Sequence, residues 1–228
     1  LFEYDPASGN LIKKIDFNPA STGSHPNGAL TEATNGKLYG MTSEGGANND
    51  GTLFEYDPAS GILTKKIDFD EPVSGSGPWG SLTEASNGKL YGMTRLGGAT
   101  VQGVIFEYNI TNGSLTKKID FPSGTTGAYP QGTLTQAENG KLYGVTQQGG
   151  AMQGGILFEY DLPNNTIVKK IDFDPATTGS YPIGSLTEAL NGKLYGLTSQ
   201  GGSPGLGFGV LFEYDPASGN LIKKIDFN

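Results

Sequence analysis

Lys37-Leu38-Tyr39-Gly40-Met41-Thr42, then Gly45-Gly46, then Leu53-Phe54-Glu55-Tyr56-Asp57-Pro58-Ala59-Ser60-Gly61 is the stretch whose reading decides the fold. Its apolar runs are short, rich in aromatics and bounded by Gly, Pro, Asp and Ser, which is the pattern of strands joined by turns. Upstream, Asn35-Gly36 separates Lys37 to Thr42 from a further run at 29–33. Asn-Gly predicts a type I′ hairpin turn with both residues at positive φ. Downstream, the turn from Asp57 to Gly61 leads into a fourth run at 63–69. Four strands a, b, c and d result. Strands b and c carry bulky residues on both faces, so each sheet is expected to be covered on both sides.

The unit recurs along the chain. Segments resembling Leu-Phe-Glu-Tyr-Asp begin at Leu1, Leu53, Ile105, Leu157 and Leu211, so the steps are 52, 52, 52 and 54 residues. A second landmark, Gly-x-Leu-Thr-Glu/Gln-Ala, begins at Gly28, Gly80, Gly132 and Gly184, so the extra two residues fall between Gly201 and Leu211. Antiparallel four-stranded units of this size, each unable to bury both faces alone, predict an all-β β-propeller. No linker interrupts the array, so residues 1–228 are expected to form a single domain. The chain has five c–d hairpins and four a–b hairpins, and residues 1–18 are identical to residues 211–228. Three arrangements meet this count: a fragment of a larger array, a five-bladed ring with one incomplete blade, or strand exchange and self-assembly through the identical terminal half-blades.

Composition excludes several classes. The 228 residues include 37 Gly, no Cys and one His, with 23 acidic against 15 basic residues and a net charge of −8. Disulfides and thiolate chemistry are out, and a His-based metal site is not expected. The acidic balance argues against nucleic acid as a partner, and no apolar run reaches membrane-spanning length, so membrane insertion is not expected. Ten of the 15 basic residues are Lys pairs in strand d, where charge guards a sheet edge. Four more follow the Asn-Gly turns, leaving Arg95 as the one basic residue outside the repeat.

The run from Lys37 to Tyr56 resembles the bacterial Gloeo/Verruco tandem repeat, which reads roughly L-Y-G-x-T-x-x-G-G-x-x-x-x-G-x-x-F. It recurs at 90–106, 142–158 and, with the insertion, 194–212. The resemblance implies a bacterial surface or secreted repeat protein, hence an extracellular or cell-surface location, and implies no activity. The unit is also similar to a kelch blade, with Gly-Gly after strand b, although kelch units carry Trp in strand d where this chain has aliphatic residues.

Candidate function concentrates in the long loops, where the copies differ. These are the d–a loops (18–27, 70–79, 122–131, 174–183) and the b–c loops (43–52, 95–104, 147–156, 199–210). Around the recurrent Pro stand His25 and Asn27, Gly77 and Trp79, Tyr129 and Gln131, Tyr181 and Ile183. Trp, Tyr and His stack on sugars and anchor interfaces, while the plainer account has them plugging the sheet ends. His25, Asn27, Trp79, Arg95, Tyr129, Gln131 and Tyr181 are therefore the candidate binding residues. Glu32, Glu84, Gln136 and Glu188 share one strand-a position and could line a cation site, though carboxylates there are also expected to bond a neighbouring sheet. No metal or other cofactor is expected. The Gly-Gly pairs lack the Lys-Ser/Thr ending of a phosphate loop, His25 has no nucleophile motif to serve, and no catalytic constellation stands out. The expected function is a non-enzymatic structural or adhesive scaffold with a protein or glycan partner on the long-loop face. The competing reading is a multivalent lectin-like module.

Overall fold

The computed structural model describes residues 1–122, 124, 126–202 and 207–227. The segment 203–206, where the insertion of the last unit falls, lies outside the described residues, as do positions 123 and 125 of the third d–a loop. A hairpin of β1 (Phe2–Asp5) and β2 (Asn10–Lys13) precedes four sheets. The first holds β3 (Thr31–Glu32), β4 (Leu38–Thr42), β5 (Thr52–Asp57) and β6 (Ile62–Asp68). The second holds β7 (Thr83–Glu84), β8 (Leu90–Thr94), β9 (Val104–Tyr108) and β10 (Leu115–Asp120). The third holds β11 (Thr135–Gln136), β12 (Leu142–Thr146), β13 (Ile156–Asp161) and β14 (Thr166–Asp172). The fourth holds β15 (Ser180–Pro182), β16 (Thr187–Glu188), β17 (Leu194–Gln200), β18 (Val210–Tyr214) and β19 (Leu221–Asp226). All pairings between these strands are antiparallel, and the first three sheets are simple meanders. In the fourth, β15 joins the edge of β17 beside β16, making five strands where four were expected. The described residues are thus all-β apart from α1 (Glu71–Ser74), a single turn between β6 and β7. Among the described residues no helix is long and apolar enough to cross a membrane.

The Asn-Gly turns differ from the expected type I′ form. Gly36 has φ 75°, but Asn35 is not at positive φ. The Gly36 N–H donates to Ala33 O at 2.8 Å, the Lys37 N–H donates to Asn35 Oδ1 at 3.1 Å, and Ala33 N–H donates to Lys37 O at 2.9 Å. This is a three-residue loop, with a type I turn followed by a left-handed Gly. The side-chain bond holds Asn35 out of the positive-φ region that a two-residue loop needs. In the c–d turns Asp57 Oδ1 accepts the Ala59 N–H at 2.9 Å, which closes the turn as Asp is expected to do. Asn165 takes φ 52° where the other turns have Gly.

The sheets pack face to face in series. Ala33, Tyr39, Met41, Leu53 and Phe69 of the first unit form one buried cluster with Leu82, Leu90, Val104, Phe106 and Tyr108 of the second. The same positions unite the second with the third sheet and the third with the fourth. Each interface repeats an aromatic edge contact, as in Phe69–Phe106 with ring centroids 5.2 Å apart. The strand-a starts approach so closely that a Cβ on Gly28 would lie 2.3 Å from Gly80 O, and one on Gly80 would lie 2.1 Å from Gly132 O. Hydrogen bonds lace the same line: Thr31 Oγ1 donates to Leu82 O at 2.6 Å and Ala29 N–H to Ser81 Oγ at 2.8 Å.

Candidate functional site

The long loops are fixed before their variable side chains are considered. In each of the first three units the d–a loop forms an isolated β-bridge with the b–c loop of its own unit, Ser24 with Glu44, Ser76 with Leu96 and Ala128 with Gln148. Each d–a loop also reaches back onto the preceding unit. The Gly77, Tyr129 and Tyr181 N–H groups donate to Asp50, Gln102 and Gly154 O at 3.0, 3.0 and 2.7 Å. Their following Pro residues close over glycines of that earlier loop: a Cβ on Gly103 would lie 2.9 Å from Pro130 Cδ. Each corner therefore combines one unit's two loops with the next unit's d–a loop.

This arrangement brings three of the candidate residues together. Arg95 directly follows β8, and its N–H donates to Gly77 O at 3.0 Å. Its guanidinium carbon lies 5.7 Å from the Trp79 ring centroid and 5.6 Å from that of Tyr129, which belongs to the next unit. Trp79 is 45% exposed, while Arg95 and Tyr129 are half-buried. A guanidinium over two aromatic rings is held by cation–π attraction, about 0.5–1 kcal/mol per ring when exposed and more when desolvated. Arg95 Nε is buried and has no hydrogen-bond partner.

The other candidates lie at separate corners. His25 Nδ1 is 3.3 Å from Glu44 Oε2 on an exposed edge. Asn27 Nδ2 donates to Ser43 Oγ at 2.9 Å, and Gln131 Nε2 donates to Gln147 Oε1 at 2.6 Å. Tyr181 is half-buried, and its carbonyl accepts from Ser199 Oγ at 2.9 Å. Positions 27, 79 and 131 thus each meet position 43, 95 or 147 of the same unit, but the contact changes from an amide–hydroxyl hydrogen bond to a cation over Trp to an amide–amide hydrogen bond. His25, Tyr129 and Tyr181 also share an unusual backbone, with φ of 58°, 57° and 52°, at the place where Gly77 has φ 62°. Left-handed geometry at bulky residues costs energy and persists where surroundings enforce it. The reading of the sequence missed this constraint, although Gly77 in register with His25, Tyr129 and Tyr181 was its signal.

The strand-a acids have a different role. Glu84 accepts the Thr34 N–H at 2.8 Å and the Thr34 hydroxyl at 2.6 Å. Gln136 Oε1 accepts the Ser86 N–H at 2.8 Å, and Glu188 accepts the Glu138 N–H at 3.1 Å. Each therefore caps the a–b turn of the preceding sheet, a job that an amide does as well as a carboxylate. Among the described residues no group of three or more His, Asp or Glu side chains is placed to hold a metal ion.

Fold and loops define an all-β tandem-repeat protein whose sheets are near-copies and whose loop corners are not. The chain belongs to the Gloeobacter/Verrucomicrobia repeat family, whose pattern matches residues 1–84 and 69–228. Among solved structures it is similar to the extracellular domain of BT4673 from B. thetaiotaomicron, with a TM-score of 0.66 at 16% identity over 99% of this chain and 25% of that one. It is also similar to a chain of the Nidogen/Laminin complex, with a TM-score of 0.59 at 12% identity over 89% of this chain and 66% of that one. TolB from Acinetobacter baumannii matches with a TM-score of 0.52 at 14% identity, over 82% of this chain and 40% of that one. The chain therefore spans a quarter to two-thirds of these structures. No curated protein sequence matches it.

Proposed function

We propose that the chain is a non-enzymatic, extracellular binding scaffold: its sheets are blades of a kelch-like propeller and its partner docks on the long-loop face at the Trp79–Arg95–Tyr129 corner. The observation that carries this reading is the asymmetry of that corner. The repeat supplies the same loop frame several times, and one frame alone joins Trp, Arg and Tyr. The serial face-to-face packing and the converging glycines support radial blades. The family resemblance and the extracellular domain among the similar structures support the location. A lectin with several equivalent sites fits less well, because Asn27 with Ser43 and Gln131 with Gln147 bond one another instead of presenting a stacking face. The test is a binding screen against immobilised glycans and purified surface proteins, run with the native chain and with Trp79→Ala and Tyr129→Ala. Binding that the variants lose, with circular dichroism unchanged, supports the reading. Binding that both variants retain removes the corner from the function.

The terminal half-blades support a second kind of partner, another copy of this chain. The face of the fourth sheet carries Tyr195, Leu197, Leu211 and Phe227, the counterparts of residues buried at the three sheet interfaces, and Leu197 is 49% exposed where Met93 is 3%. Head-to-tail association would cover this face with the first sheet of another copy.

A further inference from the structure

The ion pairs single out one cation. Each of the 14 Lys side chains lies within 3.6 Å of an Asp or Glu oxygen, from Lys13 with Asp16 to Lys224 with Glu213. Arg95 is the remaining basic side chain among the 15, and among the described residues it has no carboxylate partner. Its Nε is buried without a hydrogen bond. Among the described residues, an acidic protein with surplus carboxylates has thus left one guanidinium unpaired, and it is the one that lies over Trp79 and Tyr129.

The geometry restricts what can pair with it. Both rings lie within 6 Å of the guanidinium carbon and Nε is buried, so the two terminal NH2 groups are what remain for a ligand. Together they form a planar fork matched to a carboxylate, which accepts two parallel N–H bonds. Beside it the exposed Trp79 ring offers a flat apolar surface, of the kind on which the C–H face of a pyranose stacks. The net charge of −8 opposes a ligand with many charges, while at physiological salt a single carboxylate feels charges within about 8 Å. We infer that the Trp79–Arg95–Tyr129 corner binds a carboxylated sugar ring, one uronate in an otherwise neutral glycan, with the carboxylate on Arg95 and the ring on Trp79. This inference rests on the proposal that the corner is the binding surface, and it names the chemistry bound there.

Trp79 is the single Trp of the chain, so its emission reports this corner alone. The experiment titrates the native chain with methyl glucuronide, methyl glucoside and acetate at millimolar concentrations, at low and high salt. The expected result is a saturable emission change with the glucuronide, at least about tenfold tighter than with the other two, since one charge-assisted bidentate contact accounts for a factor of ten or more. Added salt weakens it, and Arg95→Gln loses the advantage over the glucoside while Trp79 stays folded in place. Equal binding of glucuronide and glucoside overturns the carboxylate assignment. Equal binding of acetate and glucuronide overturns the sugar. Absence of any response overturns the inference altogether, but leaves the docking proposal standing if a Trp79-dependent partner is found in the screen. Unchanged binding by Arg95→Gln overturns both the pairing and its geometry.

Discussion

Gly92 lies in the middle of β8, and a Cβ there would sit 2.4 Å from Phe106 Cζ and 2.9 Å from Leu82 Cδ2. Gly40, Gly144 and Gly196 meet Phe54, Phe158 and Phe212 in the same way. The missing side chain in strand b is therefore the space that the strand-c Phe fills, which explains why Tyr-Gly and Phe-Glu-Tyr recur together. Gly88, in the a–b turn, has φ 71° and open space around its Cα. The two glycines predict different penalties. Gly92→Ala is expected to lose about 1–3 kcal/mol through overpacking, and shortening the opposing ring should recover part of it, so Gly92→Ala with Phe106→Leu should fall short of the summed single losses. Gly88→Ala should lose roughly 1–2 kcal/mol through left-handed strain alone, with no coupling to Phe106. Urea unfolding of the four variants checks this, and strictly additive losses at 92 and 106 would count against the shared space. Spacing made these glycines visible in the sequence, but not their separate reasons. A repeated Gly looks the same whether it relieves φ or clears room for a ring, and only the neighbour across the strand tells them apart. The same limit hid the left-handed His25, Tyr129 and Tyr181, because bulky residues give no local sign of positive φ.

Strands b, c and d are tied by a strip of polar contacts across each sheet. In the second sheet Asn87 Nδ2 donates to Tyr91 Oη at 2.9 Å, and Tyr91 Oη donates to Glu107 Oε2 at 2.5 Å. Lys89 and Lys118 reach the same carboxylate at 2.6 and 3.6 Å. Burial pushes the Glu107 carboxyl up, but the bonds from Lys89 and Tyr91 outweigh it, and the net shift is downward. Glu107→Gln is expected to cost about 1.5–3 kcal/mol, as loss of a buried charge-assisted partner does, whereas Glu3→Gln, in the exposed β1–β2 hairpin, should cost about 0–1 kcal/mol. The strip also shapes the alkaline limit. Burial, with a contribution from the Glu55 carboxylate, pushes the Tyr108 hydroxyl up to about 12 from an ordinary value of 10.0, and Tyr160 and Tyr214 move likewise. A raised folded-state value means this stability is whole below pH 10.0 and is lost as pH rises through about 12. On the acid side a hydrogen bond from Lys37, then the Ala59 N–H, holds Asp57 down at about 2 from 3.8, so its contribution is whole above 3.8 and fades as pH falls through about 2. Urea midpoints should therefore be level across neutral pH and fall above pH 10.0, with tyrosine ionisation following unfolding; a midpoint already falling at neutral pH would contradict the assignment. The Lys pairs were legible in the sequence as strand-edge charges. Their division of labour was not, since the first Lys of each pair bonds an Asp three residues on and the second reaches a Glu on another strand. Cross-strand partners depend on register, which bulges between Leu53 and Phe54 and at the matching positions displace.

The whole molecule repeats one sheet-to-sheet interface and leaves both of its halves partly open at the ends. On the first sheet the segment that follows the β1–β2 hairpin supplies Phe17, whose ring centroid lies 5.2 Å from that of Phe54, just as Phe69 meets Phe106. Counterparts of Tyr39 and Met41 are missing there, and a groove of about 330 Å³ stays open among Leu1, Phe2, Phe17, Gly28, Leu30 and Phe54. The fourth sheet offers what that groove lacks, Tyr195 and Leu197, together with Leu211 and Phe227, which are identical in context to Leu1 and Phe17. Polar groups match as well. At each internal interface a strand-a Thr hydroxyl donates to a Leu carbonyl of the next sheet, as Thr135 does to Leu186 O at 2.6 Å, and Thr187 and Leu30 O stand in those two positions at the ends. Because residues 1–18 and 211–228 have the same sequence, the β18–β19 hairpin of one copy can replace the β1–β2 hairpin on another without altering a side chain. Burying the exposed half of Leu197 alone contributes about 1 kcal/mol. A head-to-tail contact of this kind joins two different surfaces, so it grows by successive addition until the rotation between copies closes a ring. Sedimentation velocity is therefore expected to show a weight-average coefficient that climbs with protein concentration, and Leu197→Glu should return the chain to monomer while leaving its circular dichroism unchanged. A monomer at every concentration, with or without that substitution, would mean that the end faces do not recognise one another. A species that stops at dimer and dissociates on Leu197→Glu would mean that two arcs of blades close on one another end to start, whereas a dimer that Leu197→Glu leaves intact would place the contact elsewhere.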